Sequence, residues 1–127
     1  MTRLARPTSL AEAIGLLEGE PEARALGGGT AIQILRRGGL IEPPLLVDLS
    51  GLPELQGIWP EADALRLGAL LTQREVERSP LVRARAPLLS ETYRRVANVR
   101  VRHTATVGGN LAHADYRLDP PAALLAL

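Results

Sequence analysis

The spacing of apolar positions changes several times along the chain, and each change marks an expected element. Leu10, Ile14 and Leu17 recur at the spacing of one helix face. Ser9-Leu10-Ala11-Glu12 has the pattern of a capping box, and Gly19 is a natural stop. Ala23-Arg24-Ala25-Leu26 is a short strand candidate that runs into Gly27-Gly28-Gly29-Thr30. After it, Ala31 to Arg37 reads as a helix ended by Gly38-Gly39. Pro43-Pro44 breaks the chain ahead of Leu45-Leu46-Val47-Asp48-Leu49, a buried-strand pattern. Two more strands are expected at 55–59 and 65–70, joined by the polar turn Glu61-Ala62-Asp63. From Thr72 the pattern becomes helical. One helix covers Thr72 to Arg78, a second opens at Ser79-Pro80, and a third opens at Pro87. Leu88, Leu89, Thr92, Tyr93 and Val96 form the third helix's expected inward face, and a last helix starts at Pro120.

Two glycine-dense segments stand out against this pattern, Gly27-Gly28-Gly29-Thr30 and Thr106-Val107-Gly108-Gly109-Asn110. Consecutive glycines lose much conformational freedom on folding and are kept where backbone bends sharply or approaches something closely. Backbone N–H groups presented at such a turn make an anion-binding concavity, and a following helix adds its positive end. The order strand, glycine turn, helix around Gly27 supplies that context. A tight turn and nothing more remains the alternative for either segment taken singly.

Composition narrows the chemistry. The 127 residues are 46 % hydrophobic with a net charge of +1, which describes one globular domain and gives no reason to expect nucleic-acid binding. No apolar run is long enough to span a membrane, the N-terminus has no signal-peptide pattern, and a cytoplasmic location is expected. There is no cysteine, so this chain itself holds no disulfide, thiolate metal site or iron–sulfur cluster. All fifteen basic residues are arginine. Four of them, Arg94, Arg95, Arg100 and Arg102, lie in a stretch without acidic residues between Glu91 and Asp115. They are either solvated helix ends or a positive field over the second glycine segment.

Several motifs do not fit. A dinucleotide fingerprint would need glycine where Ile32 stands, and a P-loop would need a lysine. Ser50, Ser79 and Ser90 lie in no nucleophile elbow. His113, Asp115 and Asp119 match no metal-site spacing. Asp119, just before Pro120-Pro121, reads most simply as a helix N-cap and is also placed to accept hydroxyl hydrogen bonds from a ligand.

Together these residues resemble the FAD-binding medium subunit of molybdenum hydroxylases, the family of carbon monoxide dehydrogenase and xanthine dehydrogenase. Leu26-Gly27-Gly28-Gly29-Thr30 with its downstream helix is similar to that family's first flavin loop. Thr106-Val107-Gly108-Gly109-Asn110-Leu111-Ala112-His113-Ala114-Asp115, continuing through Asp119-Pro120-Pro121-Ala122, is similar to the second. Leu46-Val47-Asp48-Leu49-Ser50, Leu67-Gly68-Ala69 and Ser79-Pro80-Leu81-Val82 also follow the family pattern, so the likeness runs nearly end to end.

The resemblance implies an α+β fold of the p-cresol methylhydroxylase (vanillyl-alcohol-oxidase) FAD-binding type. Residues 1–54 would form a first α+β lobe and 55–127 an incomplete second lobe. Carried over, Leu26, Gly27, Gly28, Gly29, Thr30 and Ala31 would hold the FAD diphosphate together with Thr106, Val107, Gly108, Gly109 and Asn110. Asp119 would hydrogen-bond ribityl or ribose hydroxyls, and Val96 falls where relatives place a bulky group near the flavin. The implied role is to relay electrons from iron–sulfur clusters on a small subunit through FAD to NAD or another acceptor. A large molybdopterin subunit would oxidise the substrate, and this chain would contribute no catalytic side chain of its own. The chain departs from the family at Gly27, usually alanine, at Ala31, often polar, and at His103, usually asparagine. It is also less than half the usual length. It is therefore expected to be part of a larger subunit or a short form completed by another copy or chain through its apolar C-terminus. Three readings stay open: a flavin module, a non-catalytic assembly module that has lost flavin binding, or a small nucleotide-binding protein of unrelated ancestry that binds phosphate without flavin.

Overall fold

The computed structural model describes residues 1–127. The first half alternates strand and helix: β1 (Arg3–Ala5), α1 (Leu10–Gly19), β2 (Arg24–Leu26), α2 (Thr30–Arg37) and β3 (Leu45–Asp48). The strands form one parallel sheet in the order β1-β3-β2, with Val47 of the central strand opposite both Ala5 and Ala25. Parallel neighbours cannot be joined by a tight turn, so the helices serve as crossovers. Leu45, Leu46 and Val47 are all buried, as expected of a strand covered on both faces.

Helix α1 begins where the cap pattern places it, with the Ser9 hydroxyl accepting from Glu12 N–H at 3.1 Å. The Glu12 carboxylate reaches one residue further back than a capping box requires, accepting from the Thr8 amide (2.7 Å) and hydroxyl (3.0 Å). Its core face differs from the expected one. Ala13, with Leu16 and Leu17, packs on Ala5, Leu45 and Val47, while Leu10 and Ile14 stay exposed. An alanine at the contact lets the helix lie close to the sheet, and that rotates the larger residues outward.

The second half opens with a 3-10 turn over Pro53–Leu55 and the antiparallel hairpin β4 (Ile58–Pro60) and β5 (Leu65–Leu67). The turn displaces the start of β4 to three residues beyond the expected Leu55. Six helices follow: α3 (Gln73–Arg78), α4 (Pro80–Arg85), α5 (Pro87–Arg95), α6 (Val99–Arg102), α7 (Val107–His113) and α8 (Asp119–Leu125). Their core is Leu71, Val76, Val82, Ala86, Leu89, Tyr93 and Val107, against which Ile58, Leu65, Leu67, Val96 and Leu124 pack. Leu88, expected inside, is exposed, because Leu89 and Tyr93 occupy the inward face of α5. Burial pushes the Tyr93 phenol up to about 12. Helix α8 docks through Ala123 and Leu124 and leaves Leu125 and Leu127 exposed. No helix is long and apolar enough to cross a membrane. The apolar contacts thus fall into two clusters, one on each half of the chain.

Candidate functional site

The two glycine segments, far apart in sequence, touch each other between these clusters. A Cβ on Gly28 would clash with the Thr104 carbonyl oxygen and lie 3.0 Å from Ala105 Cα. One on Gly27 would lie 2.8 Å from Thr106 Oγ1. Only glycine allows this approach at position 28, because the opposing atoms are backbone and cannot rotate away. Beside the contact opens a cavity of about 590 Å³, within the usual range for small-molecule sites.

The Gly27 segment is built to present donors. Gly29 caps α2 in the left-handed conformation (φ 74°) and has no side chain to satisfy the first turn. The first amide in this region to find an acceptor is that of Gln33, which donates to Gly29 O at 2.9 Å. The N–H groups of Gly27, Gly28, Gly29, Thr30, Ala31 and Ile32 donate to nothing within the chain. Six successive unpaired amides at the positive end of a helix form an anion site of the expected kind. Helix α2 also buries no residue fully; Ala31, Ile32 and Leu35 border the cavity instead.

The Thr106 segment differs from the expectation. It is the start of a helix, and its amides are already used. Val107 N–H donates to Leu71 O (2.9 Å), Gly108 N–H to Ala69 O (2.8 Å) and Asn110 N–H to Thr106 O (3.0 Å). Gly109 N–H donates to Thr106 Oγ1 at 3.1 Å. Only the Thr106 amide is left without an acceptor. A Cβ on Gly108 would lie 2.7 Å from that of Ala69, so this glycine serves helix packing. What the segment offers a ligand is side chains: Asn110 borders the cavity, is buried, and leaves its Oδ1 without a partner.

Of the residues singled out in the sequence, Gly27, Gly28, Gly29, Thr30, Ala31, Val96, Thr106, Gly109 and Asn110 border the cavity. Leu26, Val107, Gly108 and Asp119 do not. Val107 is in the helical core, and Asp119 is exposed in the first turn of α8, where it makes no capping hydrogen bond. The N-cap expected at Asp119 is instead one residue earlier, at Leu118, which has no side-chain donor or acceptor to offer. Sequence reasoning missed Gln73, Val101 and His113, which also line the cavity. Gln73 is only 2 % exposed and its Oε1 is unpartnered. Its place as the first residue of a helix after Leu-Leu-Thr gave no signal of this.

The arginine stretch is mostly paired. Arg94 and Arg95 both bond Glu91, and these two guanidiniums hold its carboxyl down at about 2. Arg102 donates to Glu77 Oε2 (3.1 Å) and to Val96 O (2.8 Å), and Arg74 bonds the other Glu77 oxygen at 2.7 Å. Burial alone would raise the Glu77 carboxyl, but its two guanidinium partners outweigh that and hold it below the usual range. This triad, with Glu77 buried and its two arginines partly buried, ties α3 to α6 and fixes the turn at Val96-Ala97, where Ala97 has a φ of 46°. The expected positive field therefore reduces to Arg100, the one member of the group outside these pairs.

An unpaired-amide helix terminus and an apolar helix face on one cavity describe a site for an anionic cofactor with an organic body. Residues 1–127 match, end to end, the family described as the FAD binding domain in molybdopterin dehydrogenase, and the chain belongs to that family. It is 34 % identical, over 95 % of its length, to the carbon monoxide dehydrogenase medium chain of Hydrogenophaga pseudoflava, covering 42 % of that protein. Identity is also 34 % to the caffeine dehydrogenase subunit beta of a Pseudomonas species (strain CBB1), over 96 % of this chain and 42 % of that one. Among solved structures, carbon monoxide dehydrogenase from Hydrogenophaga pseudoflava matches with a TM-score of 0.92 at 34 % identity, over 95 % of this chain and 42 % of that one. Quinoline 2-oxidoreductase from Pseudomonas putida 86 gives a TM-score of 0.92 at 36 % identity, over the same shares. The chain spans about two fifths of the length of the curated relatives it matches.

Proposed function

We propose that the chain binds FAD between its two glycine segments, as the flavin module of a molybdenum-hydroxylase-type dehydrogenase. The observation that carries this reading is the run of unpaired amides from Gly27 to Ile32. A diphosphate there would receive N–H donors already aimed by the turn and the α2 dipole, with no reorganisation needed on binding. Ala31, Ile32 and Leu35 would cover the apolar body of the cofactor, and Val96 would close the opposite side. The free Thr106 amide and the Asn110 carboxamide would add polar contacts, and the Glu77–Arg102 pair would hold the Val96 wall in place.

When bound, FAD supplies reversible one- and two-electron redox chemistry. The chain's own residues bind and orient it. In this reading, electrons come from iron–sulfur clusters on a small subunit and leave for NAD or another acceptor. A molybdopterin-bearing large subunit oxidises the substrate. We assign the fold to the p-cresol methylhydroxylase type, with residues 1–54 as its first lobe and 55–127 as part of its second.

The test is titration of the purified chain with FAD, followed by flavin fluorescence and thermal denaturation. Binding should stabilise the fold by RT ln(1 + [L]/Kd), about 2.7 kcal/mol at 100 Kd. A folded chain whose melting is indifferent to FAD would sink the flavin reading and leave the assembly module.

A further inference from the structure

We propose that Arg102 is a positioning residue of the site: it closes residues 96–102 into a fixed wall of the cavity and so sets how tightly the organic body of the ligand is held, without touching the ligand. The proposal rests on the flavin-binding reading above. Residues 96–102 have little local reason to keep one shape. Helix α6 is four residues long and alternates valine with arginine, too short to be stable alone. Ala97, ahead of it, takes a left-handed conformation (φ 46°) that is unfavourable for an L-residue, and its side chain has no polar group to bond the backbone there. Yet Val96, Ala97 and Val101 all border the cavity. Val96 also packs on the core of the second half, so it stands between that core and the cavity.

Arg102 supplies the constraint. Its Nη1 donates to the Val96 carbonyl at 2.8 Å and to the Ala97 carbonyl at 3.5 Å, which ties the end of α6 back to the start of the stretch. Its Nε donates to Glu77 Oε2 at 3.1 Å, and Glu77 is only 5 % exposed, so the same guanidinium fixes the closed stretch to α3. Arg102 itself does not border the cavity, and its effect on a ligand passes through Val96, Ala97 and Val101. Stability alone is a poor account of this arrangement. The attraction within a largely buried ion pair is offset by desolvation of both charges, and apolar residues of similar size would serve the fold as well. Strained backbone is held where a site needs a fixed shape, and a wall fixed in advance spares the ligand the cost of ordering it. Here the strained residue and the carbonyls that Arg102 binds belong to the wall itself. A lysine could keep the charge opposite Glu77, but one ammonium nitrogen cannot stand in both the Nε and the Nη1 positions.

The experiment is a double-mutant cycle on the full chain. Wild type, Arg102→Lys, Val96→Ala and the double variant are each measured for FAD Kd by flavin fluorescence and for ligand-free stability in urea. Arg102→Lys should fold and bind FAD about tenfold more weakly, the loss expected from one released hydrogen bond of this kind. In the Val96→Ala background the same lysine should change Kd less than about threefold, because part of the wall it positions is already gone. An equal loss in both backgrounds overturns the proposal, since Arg102 would then act on the fold at large and not through this wall. Unchanged FAD affinity in folded Arg102→Lys also overturns it, while leaving flavin binding intact. If Arg102→Lys does not fold, the paired substitution Glu77→Leu with Arg102→Met, which removes both charges together, takes its place in the cycle. Wild-type affinity in that variant overturns the proposal, and so does its failure to fold, which would assign Arg102 to the fold and not to the shape of the wall. A wild-type chain that does not bind FAD overturns the flavin reading first, and this proposal with it.

Discussion

Replacing Gly28 with alanine adds one methyl group at the point where the two halves of the chain meet. The new carbon would clash with the Thr104 carbonyl oxygen and lie 2.6 Å from the carbonyl carbon and 3.0 Å from Ala105 Cα. The demand is for space, since Gly28 is not among the residues with positive φ. All the opposing atoms are backbone, so relief requires the segments to separate. Carbon atoms rest comfortably at about 3.5 Å or more, so clearing the carbonyl carbon alone takes roughly 1 Å and clearing its oxygen takes more. Overpacking of this kind costs about 1–3 kcal/mol, or a fall of roughly 3–15 °C in melting temperature for a chain of this size. The same displacement moves the unpaired amides relative to Thr106 and Asn110. Losing one charge-assisted hydrogen bond to the diphosphate is worth about 1.5–3 kcal/mol, so FAD affinity should fall at least tenfold. Gly15→Ala is the internal control: nothing lies within 4 Å of its added carbon, and in the interior of α1 alanine should stabilise by about 0.5–1 kcal/mol. Urea denaturation and FAD titration of both variants give the comparison. If Gly28→Ala matches wild type in both stability and affinity, the close approach of the segments is refuted.

The Glu77 triad predicts a pH dependence. The folded-state value of Glu77 lies below its ordinary 4.5, so its stabilisation is present above about pH 4.5 and is lost as pH falls through the depressed value. Glu77→Gln should cost about 3–5 kcal/mol at neutral pH, because it strands the Arg102 charge, and should flatten the acid limb of a stability–pH curve. A variant with an unchanged acid limb would remove Glu77 from that role. Thr106→Val takes away the acceptor of Gly109 N–H and the cap of α7. It should lower stability by about 1 kcal/mol in urea denaturation, and a neutral result would contradict the cap.

Much of this was legible from local signals. The strand, glycine turn and helix around Gly27 follow from residue types whose conformational demands are strong and local. So do the helix starts at Ser79-Pro80 and Pro87, because proline fits the first turn of a helix and a preceding hydroxyl caps it. The features that escaped depend on contacts between distant residues. Gly108-Gly109 reads as a turn because glycine is a poor helix former, yet Thr106 caps a helix there and Ala69 leaves no room for a larger residue. Arg102 reads as a free charge because its partner, Glu77, sits on another helix. Strand β1 and helix α6 are only three and four residues long, too short for periodicity to register. Family likeness was legible for a different reason: the glycine segments and the stretch between them carry a pattern long enough to be specific, and the match over residues 1–127 agrees with it.

The contact of Gly28 with Thr104 and Ala105 has a kinetic consequence. It joins positions separated by more than half the chain, whereas each apolar cluster is assembled from residues within its own half. Closing so long a loop is entropically slow, and its reward arrives only after both clusters have ordered their ends of it. The ligand cavity is therefore expected to form late in folding, by the docking of the two halves. A diphosphate cofactor that touches both sides would act on that last step as a clasp. It would slow the undocking of the halves more than it hastens the formation of either one.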